Sequence, residues 1–401
     1  MWNFKILRIY ETAIDIAKKR NLTEIVNILS KGPTKTSSSA TTTKNPSDRN
    51  QIQLLQQENK ALASKNRQLE EENKMLKKKN LEATDENGKL KSYLFALKEK
   101  SHGIQFFNFN DYIVQSVIGE GATSNVKLVI LKENAKFARK ELKDFNYKTI
   151  KRFLGEGEIL FLLHHPCILD IIAVNYGDEE HPPSLILSLE PKSLETMIDN
   201  KELDNKLKCR ITVELVLGMR YIHHRNFMHR DLKPSNVLLS KNCHVRISDF
   251  GLAKEEDLET SQSKGVGTLR FMAPELFVED EDGNMKYTNK VDVYSFGITL
   301  FYVVTGSYPK FNMRNALNGV LPNLPDTIVS WVRELIVSCL SFEPENRPSF
   351  SEIFETLKAN NYDLFGESKG KKLTSKQQNM KKEIDSRVLK IEAFEFQHQN
   401  D

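Results

Sequence analysis

The residue pattern predicts an α+β fold in the second half of the chain, preceded by a long coiled-coil helix. Three observations carry that reading. Strand-like runs occupy Tyr112–Ile118, Lys127–Leu131 and Leu185–Leu189, the first two separated by a turn holding Gly119 and Gly121. Between the second and third runs, Phe153, Leu160 and Leu163 recur at helical spacing on one face. Upstream, leucine returns every seventh residue from Leu55 to Leu97, with one interruption at Ala83.

At the start, residues 1–32 hold two short apolar stripes, Ala13, Ile16 and Ala17, then Ile25, Ile28 and Leu29, joined by a polar turn. The pair resembles the end of an ankyrin repeat; an unrelated helical hairpin is the alternative. One repeat cannot bury its own face, so such a segment would be a remnant, a cap or marginally folded. Residues 33–50 are almost entirely Ser, Thr, Lys, Asn and Pro and lack core-forming side chains, the composition of a disordered linker.

Residues 51–99 then follow a heptad. Leu55, Leu62, Leu69, Leu76, Leu90 and Leu97 take d, while Asn59, Asn66, Asn73, Asn80 and Asn87 take a, between Ile52 and Leu94. Asparagine at a pairs with its symmetry mate only in a parallel, in-register pair, so the pattern favours two strands at a cost in stability. Lys65 with Glu70, Glu72 with Lys77, and Glu86 with Lys91 add opposite-sign g to e′ pairs worth tenths of a kcal/mol each. The expectation is a homodimer through residues 52–97, the alternative a solvated single helix. Residues 33–50 contain no basic run, which argues against a zipper that grips DNA.

A formal charge of +4 over 401 residues gives no electrostatic reason to expect nucleic acid or a membrane surface. The four cysteines, Cys167, Cys209, Cys243 and Cys339, stand far apart, so neither a zinc knuckle nor a disulfide framework is expected. Met1–Arg20 has no uninterrupted apolar core of a signal peptide, and no stretch reaches the roughly 18 apolar residues of a membrane span. The chain is expected to be cytoplasmic.

The chemistry concentrates in two strings, His229-Arg230-Asp231-Leu232-Lys233-Pro234-Ser235-Asn236 and Asp249-Phe250-Gly251. They supply a carboxylate, an ammonium and an amide on one short loop, then a second carboxylate beside a residue free to take positive φ. With Gly119-Glu120-Gly121-Ala122-Thr123-Ser124-Asn125-Val126 and Phe137-Ala138-Arg139-Lys140, this set resembles the eukaryotic-type protein kinases. The resemblance runs over 109–358 and implies a bilobal domain: a small antiparallel sheet with one regulatory helix, and a larger, mainly helical lobe.

It also implies roles. ATP and Mg2+ are the expected ligands. Lys140 would reach the α- and β-phosphates with a helix glutamate as partner; Glu156 shares a face with Phe153, Leu160 and Leu163, whereas Glu158 lies about 200° away. Asp231 would orient the substrate hydroxyl and accept its proton, Lys233 would neutralise the γ-phosphoryl, and Asn236 and Asp249 would hold metal. Ile118, Gly119, Glu120, Gly121, Ala122, Ser124, Val126, Ala138 and Leu238 would enclose the nucleotide, with Leu189 as gatekeeper and the Glu190 carbonyl and Lys192 N–H facing adenine. Ser124 stands where the family has its third glycine.

Lys233 and the run Gly267–Glu275 are similar to serine/threonine kinases, and Asp292–Gly297 with Pro344–Phe350 to the tyrosine-kinase-like branch, so a protein substrate is expected. Thr260, Ser261 and Ser263 are candidate phosphosites, for which Arg230 would supply a charged partner; an unmodified polar loop is the alternative. Gly155 and Gly157, flanking Glu156, suggest a pliable helix. Together with Ser124 they support the rival reading, a catalytically weak scaffold acting through its coil. The charged tail, 366–401, spaces Ile384, Val388, Leu389 and Ile391 for a short amphipathic helix, either docked or disordered.

Overall fold

The computed structural model describes residues 71, 75 and 112–398, apart from 122, 132–133, 144–146, 178–181, 252–268, 278–286, 311–312 and 367–372. The expected ankyrin-like segment, linker and coiled coil, as well as Ala122, Thr260, Ser261 and Ser263, lie outside the described residues, save helical Glu71 and Met75. The chain divides into two units, and everything below concerns the one comprising 101–176 and 183–401.

Five antiparallel strands make the first sheet: β1 (Tyr112–Glu120), β2 (Ser124–Leu131), β3 (Lys136–Leu142), β4 (Ile171–Asn175) and β5 (Ser184–Ser188), in the order β1-β2-β3-β5-β4. Alternation splits their side chains between two faces. Tyr112, Val129, Ala173 and Ile186 form one cluster, with Phe137 and Ile172 against it. Residues of the other parity, among them Val174 and Leu185, meet helix α1 (Tyr147–Leu162). That helix buries Ile150, Phe153, Leu154, Ile159 and Leu160.

Three residues, Leu189, Glu190 and Pro191, join β5 to β6 (Lys192–Ser193), which pairs with β7 (Val237–Leu239) and through it β8 (Val245–Ile247). The helical part follows with α2 (Leu194–Asp199), α3 (Asn205–His224), α4 (Lys290–Thr305), α5 (Met313–Leu317), α6 (Ser330–Cys339), α7 (Phe350–Ala359) and α8 (Ser375–Gln397). Asp204 caps α3 by accepting the Leu207 N–H at 2.7 Å. Helix α4 is buried from Val291 to Val303, as a helix apolar on all sides must be, and ends at Gly306, whose φ of 72° suits the left-handed closing turn.

Helix α8 opens with a capping box between Thr374 and Gln377. Its buried stripe is Met380, Ile384, Val388 and Ile391, while Leu389, grouped with that stripe in the sequence reading, turns outward at 66% exposure. One step from Val388 is a rotation of about 100°, which carries Leu389 off the face. Cys167, Cys209 and Cys339 are buried and Cys243 is half-buried, all as free thiols. Among the described residues no helix is long and apolar enough to cross a membrane.

Candidate active site

Lys140 sits mid-strand in β3, opposite Val126 of β2 and Leu185 of β5. Cross-strand partners and residues two apart share a face, so Val126, Ala138 and Lys140 look toward α1. There the Lys140 Nζ lies 2.7 Å from both carboxylate oxygens of Glu156. Glu156 is 3% exposed. Glu158 is half-buried and does not meet Lys140.

The helix reaches the sheet this closely because of Gly157. A Cβ on that residue would stand 2.8 Å from Leu185 Cδ2 and 3.4 Å from Val174 Cγ2. The glycine that weakens the isolated helix is therefore a packing requirement, and pliability is not needed to explain it.

Asp249, just beyond β8, brings its Oδ1 to 3.0 Å from the same Lys140 Nζ. Burial disfavours the ammonium, but the Glu156 and Asp249 carboxylates outweigh it and raise the Lys140 pKa above its ordinary value. The Asp249 carboxyl is held below its usual range, chiefly by Lys140, with Lys233 assisting against burial. Its φ of 67° is unusual for a non-glycine residue, and so is the 63° of Arg230. Each needs its surroundings to hold it.

Those surroundings converge on Asp292, a fully buried carboxylate in the first turn of α4. Its Oδ2 accepts the His229 N–H at 2.9 Å and lies 2.9 Å from His223 Nε2, while Oδ1 accepts the Arg230 N–H at 2.7 Å. His229 carries the restraint onward: its Nδ1 accepts the Asp231 N–H at 3.3 Å, so its Nε2 donates to the Ser248 carbonyl at 3.0 Å. One ring thereby joins the two chemical strings. Asp231 receives Lys233 Nζ at 2.7 Å and the Asn236 amide at 2.9 Å on its Oδ2.

The Arg230 guanidinium donates to the Tyr287 hydroxyl at 2.6 Å. Arg152 of α1 donates to the Gly251 carbonyl. Below, Arg347, 1% exposed, grips both oxygens of Glu275 at 2.6 and 2.9 Å. Sequence reading passed over Asp292, His223 and Arg347 as site builders. A signal existed for Asp292: a lone carboxylate at the head of an otherwise apolar helix requires buried partners.

Between β1 and β2, Gly119 pairs with Val126 and Glu120 with Asn125, and the Gly121 N–H donates to the Ser124 carbonyl at 2.8 Å. The turn is a closed hairpin, and the Gly121 amide is already engaged within it. Ala138 is 8% exposed, Val126, Leu189, Glu190 and Leu238 are half-buried, and Ile118 and Lys192 are exposed. Glu190 turns its carboxylate toward Arg246, Nε to Oε1 3.6 Å, and burial raises its pKa. Pro191 has no N–H, so of the three connecting residues only Leu189 and Glu190 carry a main-chain donor.

A protein kinase domain profile matches residues 112–357. Curated relatives include a probable serine/threonine-protein kinase of Dictyostelium discoideum, 31% identical over 276 residues, covering 63% of this chain and 20% of the relative. Mitogen-activated protein kinase kinase kinase 9 of Arabidopsis thaliana is 31% identical over 252 residues, covering 59% of this chain and 32% of the relative. A seven transmembrane domain-containing tyrosine-protein kinase of Dictyostelium discoideum is 30% identical over 280 residues, covering 64% and 39%. The chain thus spans well under half the length of these relatives.

Proposed function

The chain belongs to the protein kinase family, and on that premise we propose that it transfers the γ-phosphoryl group of ATP to serine or threonine hydroxyls of a protein substrate. One observation carries the reading: Glu156, Lys140 and Asp249, from a helix, a strand and a loop 109 residues downstream of Lys140, meet at hydrogen-bond distance. An ammonium held between two carboxylates is positioned, protonated and ready to exchange one of them for phosphate oxygens.

Lys140 would hold the α- and β-phosphates, and Glu156 would keep it in place. Asp231 would orient the incoming hydroxyl and take its proton late, while Lys233, already 2.7 Å from Asp231, would balance charge on the transferring group. Asn236 commits its amide N–H to Asp231, which leaves its amide oxygen free to serve as a hard donor, and the Asp249 carboxylate would supply a second. Among the described residues no cluster of three or more His, Cys, Asp or Glu could hold a metal unaided. An Mg2+ ion fits this pair because phosphate oxygens and water would complete its shell; bound there, it would supply charge neutralisation.

Lys233 in the catalytic loop supports hydroxyl transfer to serine or threonine, and the Asp292 and Arg347 segments support placement in the tyrosine-kinase-like branch. Arg230, with the Tyr287 hydroxyl as its partner here, supports a phosphate on Thr260, Ser261 or Ser263 as an alternative partner. The heptads of 52–97 support dimerisation that would bring a second catalytic domain close enough for phosphorylation in trans. A cytoplasmic setting accords with unpaired cysteines.

The test is transfer of labelled γ-phosphate to a protein substrate by the wild type and by Asp231→Asn. Wild type should label serine or threonine, and loss of the carboxylate should reduce the rate by roughly 10²–10⁴-fold. Equal labelling by the two proteins refutes the proposal.

A further inference from the structure

Helix α8 does more than cover an apolar face. Its last turn reaches the segment that follows α1: Glu395 Oε1 lies 3.2 Å from His165 Nε2, and Glu395 Oε2 lies 3.0 Å from Arg220 of α3. His165 is 3% exposed, and its Nδ1 accepts the Cys167 N–H at 3.1 Å, so Nε2 carries the proton and donates to Glu395. The ring stacks on Tyr221 at 4.6 Å and meets Phe394 of α8 edge-on at 6.3 Å. His164 packs against Phe394 as well, at 5.3 Å.

This segment is a junction. Upstream it continues α1, which bears Glu156, through the buried Leu163. Downstream it is laced to β8, the strand before Asp249: the Ile247 N–H donates to the Cys167 carbonyl at 2.8 Å, and the Leu169 N–H donates to the Ile247 carbonyl at 2.9 Å. Glu395 therefore grips a stretch of chain that touches the supports of both carboxylates around Lys140. Farther back, Arg387 Nε donates to Glu214 at 3.0 Å, while Ile384 and Ile391 are almost fully buried. The buried isoleucines are the base of the grip, and the Arg387 pair fastens the same helix elsewhere, to α3.

We propose that Glu395 is a positioning residue: through His165 the C-terminal helix clamps the junction behind α1 and keeps Glu156 seated on Lys140. The inference rests on the kinase reading for its rate consequence only. A geometric clamp on a helix end transmits because the interior is close-packed, and small misplacements of catalytic groups are expensive in rate.

The experiment uses the full chain with four variants: Glu395→Ala, Glu395→Gln, Arg387→Ala as a matched control on the same helix, and Asp231→Asn. Measured are kcat and KM for ATP, the melting temperature, and amide exchange of Tyr147–Leu162. Glu395→Ala should lower kcat about tenfold, or ~1.4 kcal/mol. ATP KM should change less than about twofold, and α1 exchange should speed by about tenfold, since a lost clamp shows as local opening. Glu395→Gln, which keeps an acceptor for His165, should recover most of kcat. Arg387→Ala should lower the melting temperature as much while leaving kcat and α1 exchange as in wild type. Unchanged α1 exchange in Glu395→Ala overturns the inference, and so does an equal loss of kcat in Arg387→Ala. If Asp231→Asn transfers phosphate as well as wild type, the kinase reading fails instead, and the exchange data still decide the clamp.

Discussion

Replacing Asp292 by asparagine changes one oxygen to an amino group in a fully buried site where every neighbour presents a hydrogen. The carboxylate accepts two main-chain N–H groups, from His229 and Arg230, and faces His223 Nε2. An asparagine has one acceptor oxygen, so whichever way the amide turns, the buried N–H of His229 or that of Arg230 meets a donor. A stranded buried donor costs about 1–3 kcal/mol, and the remaining bonds lose their charge assistance, worth about 1 kcal/mol more. His223 can switch tautomer to accept from the new amino group, which limits the total to roughly 2–4 kcal/mol. At about 2–4 °C per kcal/mol for a domain of this size, the melting temperature should fall by roughly 5–15 °C. The rate should fall by about 10²-fold even well below the melting point, because Arg230, with its left-handed backbone, and Asp231 lose their tether. Thermal melting monitored by fluorescence, together with phosphoryl transfer at a temperature where both proteins are folded, measures the two effects. A variant within about 2 °C and twofold of wild type would show that the hub does not hold the loop, and the reasoning would be wrong.

Two further outcomes follow from packing and protonation. Gly157→Ala gains about 0.5–1 kcal/mol in helix propensity but drives a methyl group to 2.8 Å from Leu185, an overpacking cost of about 1–3 kcal/mol. Its urea midpoint should therefore drop, and a midpoint above wild type would refute the close-approach reading. Burial holds the His165 imidazole below its ordinary pKa of 6.5, against the pull of Glu395 and with Arg220 and Arg387 nearby. The unfolded chain then binds a proton that the folded chain declines, so this contribution to stability is intact above about pH 6.5 and is lost as pH falls from there toward the folded value. Urea midpoints between pH 7.5 and 5.5 should fall more steeply for wild type than for His165→Gln; parallel slopes would exclude it.

The parts of the molecule legible in the sequence are those whose signal is local. Glu156 could be preferred over Glu158 because helical rotation alone separates them, and strands announce themselves as apolar runs bounded by glycine. The hub at Asp292 and the Arg347 pair with Glu275 join residues 63 and 72 positions apart, which no local period encodes. The clamp is farther still, since Glu395 and His165 are 230 residues apart. Gly157 shows the converse difficulty. A glycine inside a helix reads as looseness until the opposing Leu185 is seen. The stripe on α8 was visible in part, but its true face, begun at Met380 and bypassing Leu389, depends on what the helix lies against.

The three-residue connection Leu189–Glu190–Pro191 sets how freely the two halves of the domain can breathe. Proline fixes its own φ and biases the residue before it toward extended conformations, so the joint has few soft torsions through which to open and close. Beyond it, Lys192 is already paired with Leu239. A partner that meets this connection through its main chain finds N–H donors at Leu189 and Glu190 and none at Pro191, so recognition there must lean on carbonyl acceptors or pass to the next residue, Lys192.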